Sequence, residues 1–457
     1  MTYFLAEFGL IRRAADFANI ATPDLQSGVN GAASPTHLAI PDFKSGMLGA
    51  ASPTQPLPQP NEIFLPDAAF DSLKAFAISQ EADQIMAFFV QKGCECLRLK
   101  NYVGLLETPD GTQIEILPKT ASNAAEGRAT VLKMLRCLPD APFRSLPTAS
   151  LQSTSLPLWE VFITAFLEEV TKIVQHGLQK SYVTTEENQP FLRGKLLIEK
   201  QLSQNIFRQE QFAVAHDEFL ENIAPNRILK SCVLTLQRQS RSFSNQNRLR
   251  QLRFVLEDIP ASPHVETDLL AIQTTDRRFD RYATALQWAA VLLRARSWAG
   301  QAGKHPNTSL LFPTERLFEA YVTRGFRQHL PDFEVIAQDR SQHLINSHDG
   351  KQKFGLRPDL ILRKNGKVLI LDMKWKWIDA SQPYKNYGID QADLYQLYAY
   401  AQKYEADSVF LIYPQHAAFT QPLAIFQYNE SLRLQVLPFN MALPLSEAIK
   451  ACNKLFE

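Results

Sequence analysis

The stretch RPDLILRKNGKVLILDMKWK, residues 357–376, sets two aspartates and a lysine around an Asn-Gly dipeptide inside runs of Leu, Ile and Val. Asn365-Gly366 is a strong hairpin signal, because a two-residue type I′ turn needs positive φ at both central positions and Asn and Gly tolerate it. A turn that tight pairs Lys364 with Lys367, Arg363 with Val368, Ile361 with Ile370, and Asp359 with Asp372. Opposed residues share a sheet face with Cβ atoms roughly 4.5–5.5 Å apart, where like charges repel. Lys374 returns to the same face by the strand's period of two. Two carboxylates and an ammonium converging beside an apolar hairpin suit a divalent cation with oxygen ligands and a reacting phosphate. An ordinary salt bridge at a strand end is the alternative reading of any lone Asp-x-Lys. The preceding Pro358-Asp359 and the facing register favour the cation site.

Pro358-Asp359 followed by Asp372-Met373-Lys374 resembles the PD-(D/E)xK nuclease signature, with Asp as the middle acid. Phe312 to Val322 reads as a helix start, which puts Glu319 on the side of Val322 and Phe326 that meets a sheet. In the nucleases it resembles, a helix before the hairpin often adds an acidic residue to the metal site. After the hairpin, Asp390 to Tyr400 places Gln396 and Tyr400 at i,i+4, similar to the Gln-x-x-x-Tyr element of RecB-type nucleases. Ser408 to Tyr413 supplies a further buried strand. Four more blocks, Asn101 to Lys119, Glu186 to Lys195, Asp217-Glu-Phe and Asn226 to Lys230, are similar to the McrC family, the endonuclease subunits of McrBC 5-methylcytosine restriction systems.

That resemblance runs from about Asn101 to Tyr413 and implies a Mg²⁺-dependent DNA endonuclease. It implies Asp359 and Asp372 as metal ligands, Glu319 as a third acid acting directly or through water, Lys374 as the water-orienting group, and Gln396 and Tyr400 as support. It also implies two partners: an McrB-like AAA+ GTPase hexamer, which uses the GTP, and double-stranded DNA carrying modified cytosine. A stand-alone RecB-like nuclease and a catalytically vestigial activating subunit are the alternatives. The expected fold is multidomain α/β. A β-rich, partner-binding portion spans residues 1–150, a mainly helical connector 151–300, and a PD-(D/E)xK nuclease core 301–457.

The composition bounds these readings. The chain has 457 residues and a formal net charge of +1, so any nucleic-acid surface must be local. Residues 193–253 carry eleven Lys/Arg against five Asp/Glu, densest at Arg238, Arg241, Arg248, Arg250 and Arg253. Such a run serves phosphate contacts or is a solvated helix face. Five cysteines show no metal spacing and read as free thiols in a reducing cytoplasm. His216 and His416 each stand alone in the sequence and are read as surface or core residues. No G-x-x-x-x-G-K-[ST] motif occurs, so any motor must come from a partner. No apolar run is long enough to span a bilayer, and no membrane role is expected.

Residues 27–36 and 45–54 form a near-exact repeat with an eighteen-residue offset inside a Gly-, Ser- and Pro-rich stretch. Residues 24–61 are therefore expected to be a flexible loop, serving as a spacer or as part of the docking element. Thr2 to Ile11 reads as a strand, and Pro66 to Ala77 as an amphipathic helix.

Overall fold

A computed structural model describes residues 2–16, 61–79, 84–139, 142–146, 156–208, 210–272, 277–295 and 308–456. The repeat-containing segment lies outside the described residues, apart from Asn61.

Strands Leu360–Lys364 and Lys367–Met373 form the expected hairpin, turning through Asn365 at φ 50° and Gly366 at φ 79°. The ladder pairs Lys364 with Lys367, Ile361 with Ile370 and Leu360 with Leu371, so Asp359 and Asp372 fall one step beyond its open end. The hairpin lies within a six-stranded sheet, ordered Glu334–Ala337, Leu360–Lys364, Lys367–Met373, Ser408–Pro414, Arg433–Phe439, Phe426–Gln427. The Lys367, Ser408 and Arg433 strands run parallel to one another.

Both sheet faces are covered. Leu360, Leu362, Leu371 and Met373 pack with Leu317, Phe318 and Ile449 of the Thr314–His329 and Leu445–Asn453 helices. Ile361, Ile370 and Val409 pack with Leu397 and Tyr400 of the Gln391–Tyr404 helix. A strand buried on both faces carries a continuous apolar run rather than an alternating one, which accounts for the LILxxxxxVLIL pattern. Asp372 and Lys374 share the parity of Ile370 and so fall on the side of the Gln391–Tyr404 helix.

The N-terminal portion holds two four-stranded sheets. The expected single strand at Thr2–Ile11 is two strands, Thr2–Ala6 and Leu10–Arg13, which turn at Phe8 (φ 64°) and enter different sheets. The Asp67–Ile78 helix matches the expected amphipathic segment and buries Phe70 and Leu73.

The fourth strand of the first sheet comes from far along the chain. Thr308–Pro313 pairs antiparallel with Tyr102–Glu107, so the boundary expected near residue 300 is crossed by strand pairing. The close approach depends on Gly104, at φ 135°, where a Cβ would stand 2.0 Å from the Leu310 carbonyl oxygen.

The expected connector is helical where apolar residues recur at helical spacing, with Trp159, Phe162, Leu229, Trp288 and Leu292 in one core. It also contains a three-stranded sheet that the helical reading missed, built from Ser181–Gln189, Phe212–Leu220 and Lys195–Leu196. The Ser181–Gln189 strand is polar and largely exposed, and the apolar residues of Phe212–Leu220 are broken by His216, Asp217 and Glu218, so neither carries a sustained apolar period.

One buried carboxylate joins the two ends of the chain. Glu7 is 3 % exposed, and it accepts from the Trp375 indole at 2.6 Å, the Thr314 hydroxyl at 3.0 Å and the Lys119 amide at 3.1 Å. Burial raises the Glu7 pKa, and the charge of Lys119 opposes that rise. Removing the carboxylate leaves a buried indole N–H and a buried hydroxyl unpaired. Glu7→Ala is therefore expected to cost about 2–4 kcal/mol in chemical denaturation. Glu7→Gln, which keeps an acceptor oxygen, should cost less.

Candidate active site

Each charged group at the open end of the hairpin is held by a different element. Asp359 precedes its strand, and its Oδ2 accepts from the Met373 backbone amide at 2.8 Å, across the hairpin. Its Oδ1 accepts from the Gln338 side chain at 3.2 Å. Gln338 also donates to Glu319, so a single amide bridges the Thr314–His329 helix and the hairpin. Gln338 stands at φ 54°, and its backbone amide donates to the Asp359 carbonyl at 3.1 Å. Left-handed backbone at a residue other than glycine is costly and persists where surrounding contacts enforce it.

On the other strand, Asp372 is 2 % exposed. Its Oδ2 lies 2.8 Å from the Lys374 ammonium. Beyond that ion pair, this buried oxygen has no other partner among the described residues. Lys374 also lies 3.6 Å from Asp393 and donates to the Gln396 carbonyl oxygen at 3.3 Å. Gln396 donates to the Tyr400 hydroxyl at 2.7 Å, and Tyr400 donates to the Arg357 carbonyl at 3.1 Å. A relay thus runs from the lysine through one helix face to the residue preceding Pro358.

Burial raises the pKa of all three carboxyls at this end. Asp359 is pushed up to about 8, first by burial and then by repulsion from Asp372 and Glu319. Asp372 is raised by burial, with the Lys374 charge opposing and Asp393 adding repulsion. Burial also raises Glu319, while Arg357 and Gln338 favour its charged form. Burial works against a charged Lys374, yet Asp372 and Asp393 hold its pKa above the ordinary lysine value.

The six residues expected from the sequence, Glu319, Asp359, Asp372, Lys374, Gln396 and Tyr400, are thus linked by this network. Three participants were not singled out in the sequence. Asp393 holds both Lys374 and Lys376, the latter at 2.8 Å, and its signal was available, since 393, 396 and 400 fall on one helix face. Gln338 and Arg357 carry no local pattern that marks them.

A buried carboxylate oxygen paired with a lysine ammonium, beside two more carboxyls whose ionisation is suppressed first by burial and then by neighbouring charge, fits a divalent cation with oxygen ligands. Asp359 and Asp372 are the direct candidates. Glu319, linked to Asp359 by two hydrogen bonds through the Gln338 amide, fits a water-mediated place.

His216 takes one of the two placements read from the sequence, in the core. It is buried beside two carboxylates, with Nε2 3.0 Å from Glu218 and 3.4 Å from Glu187, and these three ligand atoms lie within 4.8 Å of one another. Arg193 pairs with Glu218 at 3.2 Å, so a cation already balances the cluster. His416 lies edge-on to Trp377 at 3.7 Å between centroids, a packing role. The arginines of residues 238–253 lie on the Ala224–Gln239 and Phe243–Val255 helices and the turn between them. Arg241 donates to the Gly111 carbonyl at 2.7 Å and Arg253 to Gln237 at 3.2 Å. All five cysteines are free. No described helix is long and apolar enough to cross a membrane.

The assembled features are those of a mixed α/β protein with an acidic, lysine-bearing site at the end of a doubly covered sheet. A family profile described as "McrBC 5-methylcytosine restriction system component" matches residues 97–414, and the chain belongs to that family. Its fold is similar to that of a Thermococcus gammatolerans assembly described as McrB AAA+ hexamers with bound McrC. The TM-score is 0.67 at 18 % identity, covering 100 % of both chains. A second match, to the McrBC complex of the same organism, has a TM-score of 0.47 at 18 % identity, covering 73 % of this chain and 89 % of that one. No curated protein matches the chain.

The burial of Asp359 beside Asp372 and Glu319 gives a measurable sign. Its folded pKa of about 8 exceeds the ordinary 3.8, so without divalent cation this group's contribution makes stability fall as pH rises from about 4 to about 8. Asp359→Asn removes that contribution. In metal-free buffer the substitution should raise Tm, more at pH 8 than at pH 5. Differential scanning fluorimetry across that range checks the expectation.

Proposed function

We propose that this chain is the McrC-type nuclease subunit of an McrBC restriction complex, cutting double-stranded DNA that carries 5-methylcytosine. The observation that carries the reading is the Asp359, Asp372 and Lys374 constellation, in a chain of this family, at the open end of a sheet buried on both faces. Mg²⁺, when bound, supplies Lewis acidity and a nucleophilic water at neutral pH. Asp359 and Asp372 would hold it, and Glu319 would add a third acid to the site. Lys374, fixed by Asp372, Asp393 and Gln396, orients the attacking water and offsets phosphate charge. Gln396 and Tyr400 keep that lysine in place, and the core is of the PD-(D/E)xK kind.

The partner is an McrB-like AAA+ GTPase hexamer, working with this chain in the cytoplasm. The fold match to a chain bound to McrB hexamers supports this, and so does the absence of a P-loop motif in the sequence. This chain stimulates GTP hydrolysis by that partner. The docking surface expected within residues 1–150 has a competitor in the three-stranded sheet at 181–220. There the Tyr182 and Phe219 rings meet at a tilt with centroids 5.1 Å apart while 73 % and 56 % exposed, with Phe207 95 % exposed nearby in the chain. Large exposed aromatics of this kind mark interaction surfaces.

A vestigial nuclease site is the second reading. An intact set of three charges, each held by named neighbours, weighs against it.

Asp372→Ala and Lys374→Ala should each reduce cleavage of methylated DNA by at least about 100-fold in the presence of partner, GTP and Mg²⁺. GTPase stimulation should be retained. Wild-type cutting by both folded variants would sink the nuclease assignment. For the docking surface, Tyr182→Ser combined with Phe219→Ser should abolish GTPase stimulation while leaving Tm within a few degrees. Undiminished stimulation would return docking to residues 1–150.

A further inference from the structure

A cleft of about 1110 Å³ opens from the candidate active site along the Thr314–His329 helix. Glu315, Glu319 and Asp359 lie in its lining, and so do five arginines, 144, 316, 324, 327 and 357. None of the five makes an ion pair with a described carboxylate. Arg324 donates to the Arg136 carbonyl at 2.7 Å and Arg144 to the Leu138 carbonyl at 3.2 Å, contacts that fix a guanidinium without neutralising it. Five guanidinium groups facing three carboxyls, with Arg357 and Arg316 acting on Glu319, make a local excess of positive charge in a chain of net charge +1.

The spacing is as informative as the charge. Arg316, Ala320, Thr323 and Arg327 form a stripe along one helix face and all line the cleft. Eleven residues at 1.5 Å rise separate the terminal arginines by about 16 Å along the axis. One strand of a duplex advances about 3.4 Å per phosphate, so the stripe spans several consecutive phosphates. Glu319, on the same helix, stands beside this track. The lining contains no aromatic side chain, so it offers no platform for stacking unpaired bases. Guanidinium groups without aromatics suit the backbone of a duplex read without regard to sequence.

We infer that this arginine-lined cleft is the seat of the DNA duplex backbone, delivering a phosphate to the Asp359 and Asp372 end of the hairpin. The inference rests on the nuclease reading for what happens at that end, but the binding surface is independently measurable. It places the principal DNA contact here rather than on the arginines of residues 238–253. Those arginines were the candidates visible in sequence, because they are close together along the chain. The cleft arginines are brought together only by folding, from segments as far apart as 144 and 357.

The test is fluorescence anisotropy of the full-length chain with a labelled duplex, without divalent cation, from about 50 to 200 mM salt. Arg316→Ala combined with Arg327→Ala removes two exposed side chains. It should weaken binding at least about tenfold at the low-salt end. The slope of log K against log salt should shrink by about 2. Arg250→Ala combined with Arg253→Ala should leave both nearly unchanged. Unchanged affinity and slope in the cleft variant would overturn the inference, as would a loss confined to the Arg250 and Arg253 variant. Absence of measurable duplex binding by the wild type, or tighter binding of single-stranded DNA, would also overturn it. Asp372→Asn, tested in parallel, should bind duplex at least as well as wild type and fail to cut. If it cuts normally, the nuclease reading falls while the anisotropy data still decide the cleft.

Discussion

The arrangement of the candidate site depends on one buried carboxylate. Glu7 sits in a turn between the first two strands, yet it accepts hydrogen bonds from Thr314 and Trp375. Thr314 is the first residue of the helix that carries Glu319, and Trp375 follows Lys374. Both walls of the site are therefore referred to the same pair of oxygens. Lys119 closes the junction, its amide donating to Glu7 while its ammonium lies over the rings of Phe8, Trp375 and Trp377. A buried carboxylate is tolerable only with such company. The specificity of that company makes the junction a fixed reference point rather than a lubricated contact.

From that anchor the polar chemistry is confined to one end of an otherwise apolar sheet. Burial on both faces leaves the hairpin little freedom to slip in register. The side chains beyond Leu360 and Leu371 inherit that rigidity. The carboxyls accordingly sit buried and unable to move apart, and their raised pKa values record first that burial and then the repulsion of neighbouring carboxyls. Such groups are poised for a cation, whose arrival replaces repulsion with coordination.

Much of this was legible in sequence because it was local. Asn365-Gly366 set the hairpin register, which brought Asp359 and Asp372 together, and the strand period placed Lys374. Helical spacing alone aligned Gln396 with Tyr400. The illegible parts are those whose partners lie far off along the chain. Glu7 and Trp375 are 368 positions apart, and neither has a pattern announcing the other. Gln338 bridges Glu319 and Asp359 from a strand end with no signature. The three-stranded sheet at 181–220 was absorbed into a helical region because Ser181–Gln189 is mostly polar and exposed and the short apolar runs of Phe212–Leu220 are interrupted by charge, which removes the periodic signal. The arginines of the cleft were hidden by the same cause as Glu7, since folding rather than spacing gathers them.

The strand Thr308–Pro313 illustrates what chain order conceals. It belongs by sequence to the segment that leads into the Glu319 helix and by hydrogen bonding to the sheet of the N-terminal portion, lodged against Gly104. The two portions are thus stitched rather than strung. Dividing the gene near residue 300 would leave Tyr102–Glu107 with an open edge in one product and an unpaired apolar strand in the other, both prone to adhere to whatever sheet they meet. Evolutionary shuffling of the C-terminal portion onto another N-terminal one faces the same obstacle. The acquired piece must bring a strand that the new host can accept, and the host must keep a glycine where that strand crosses.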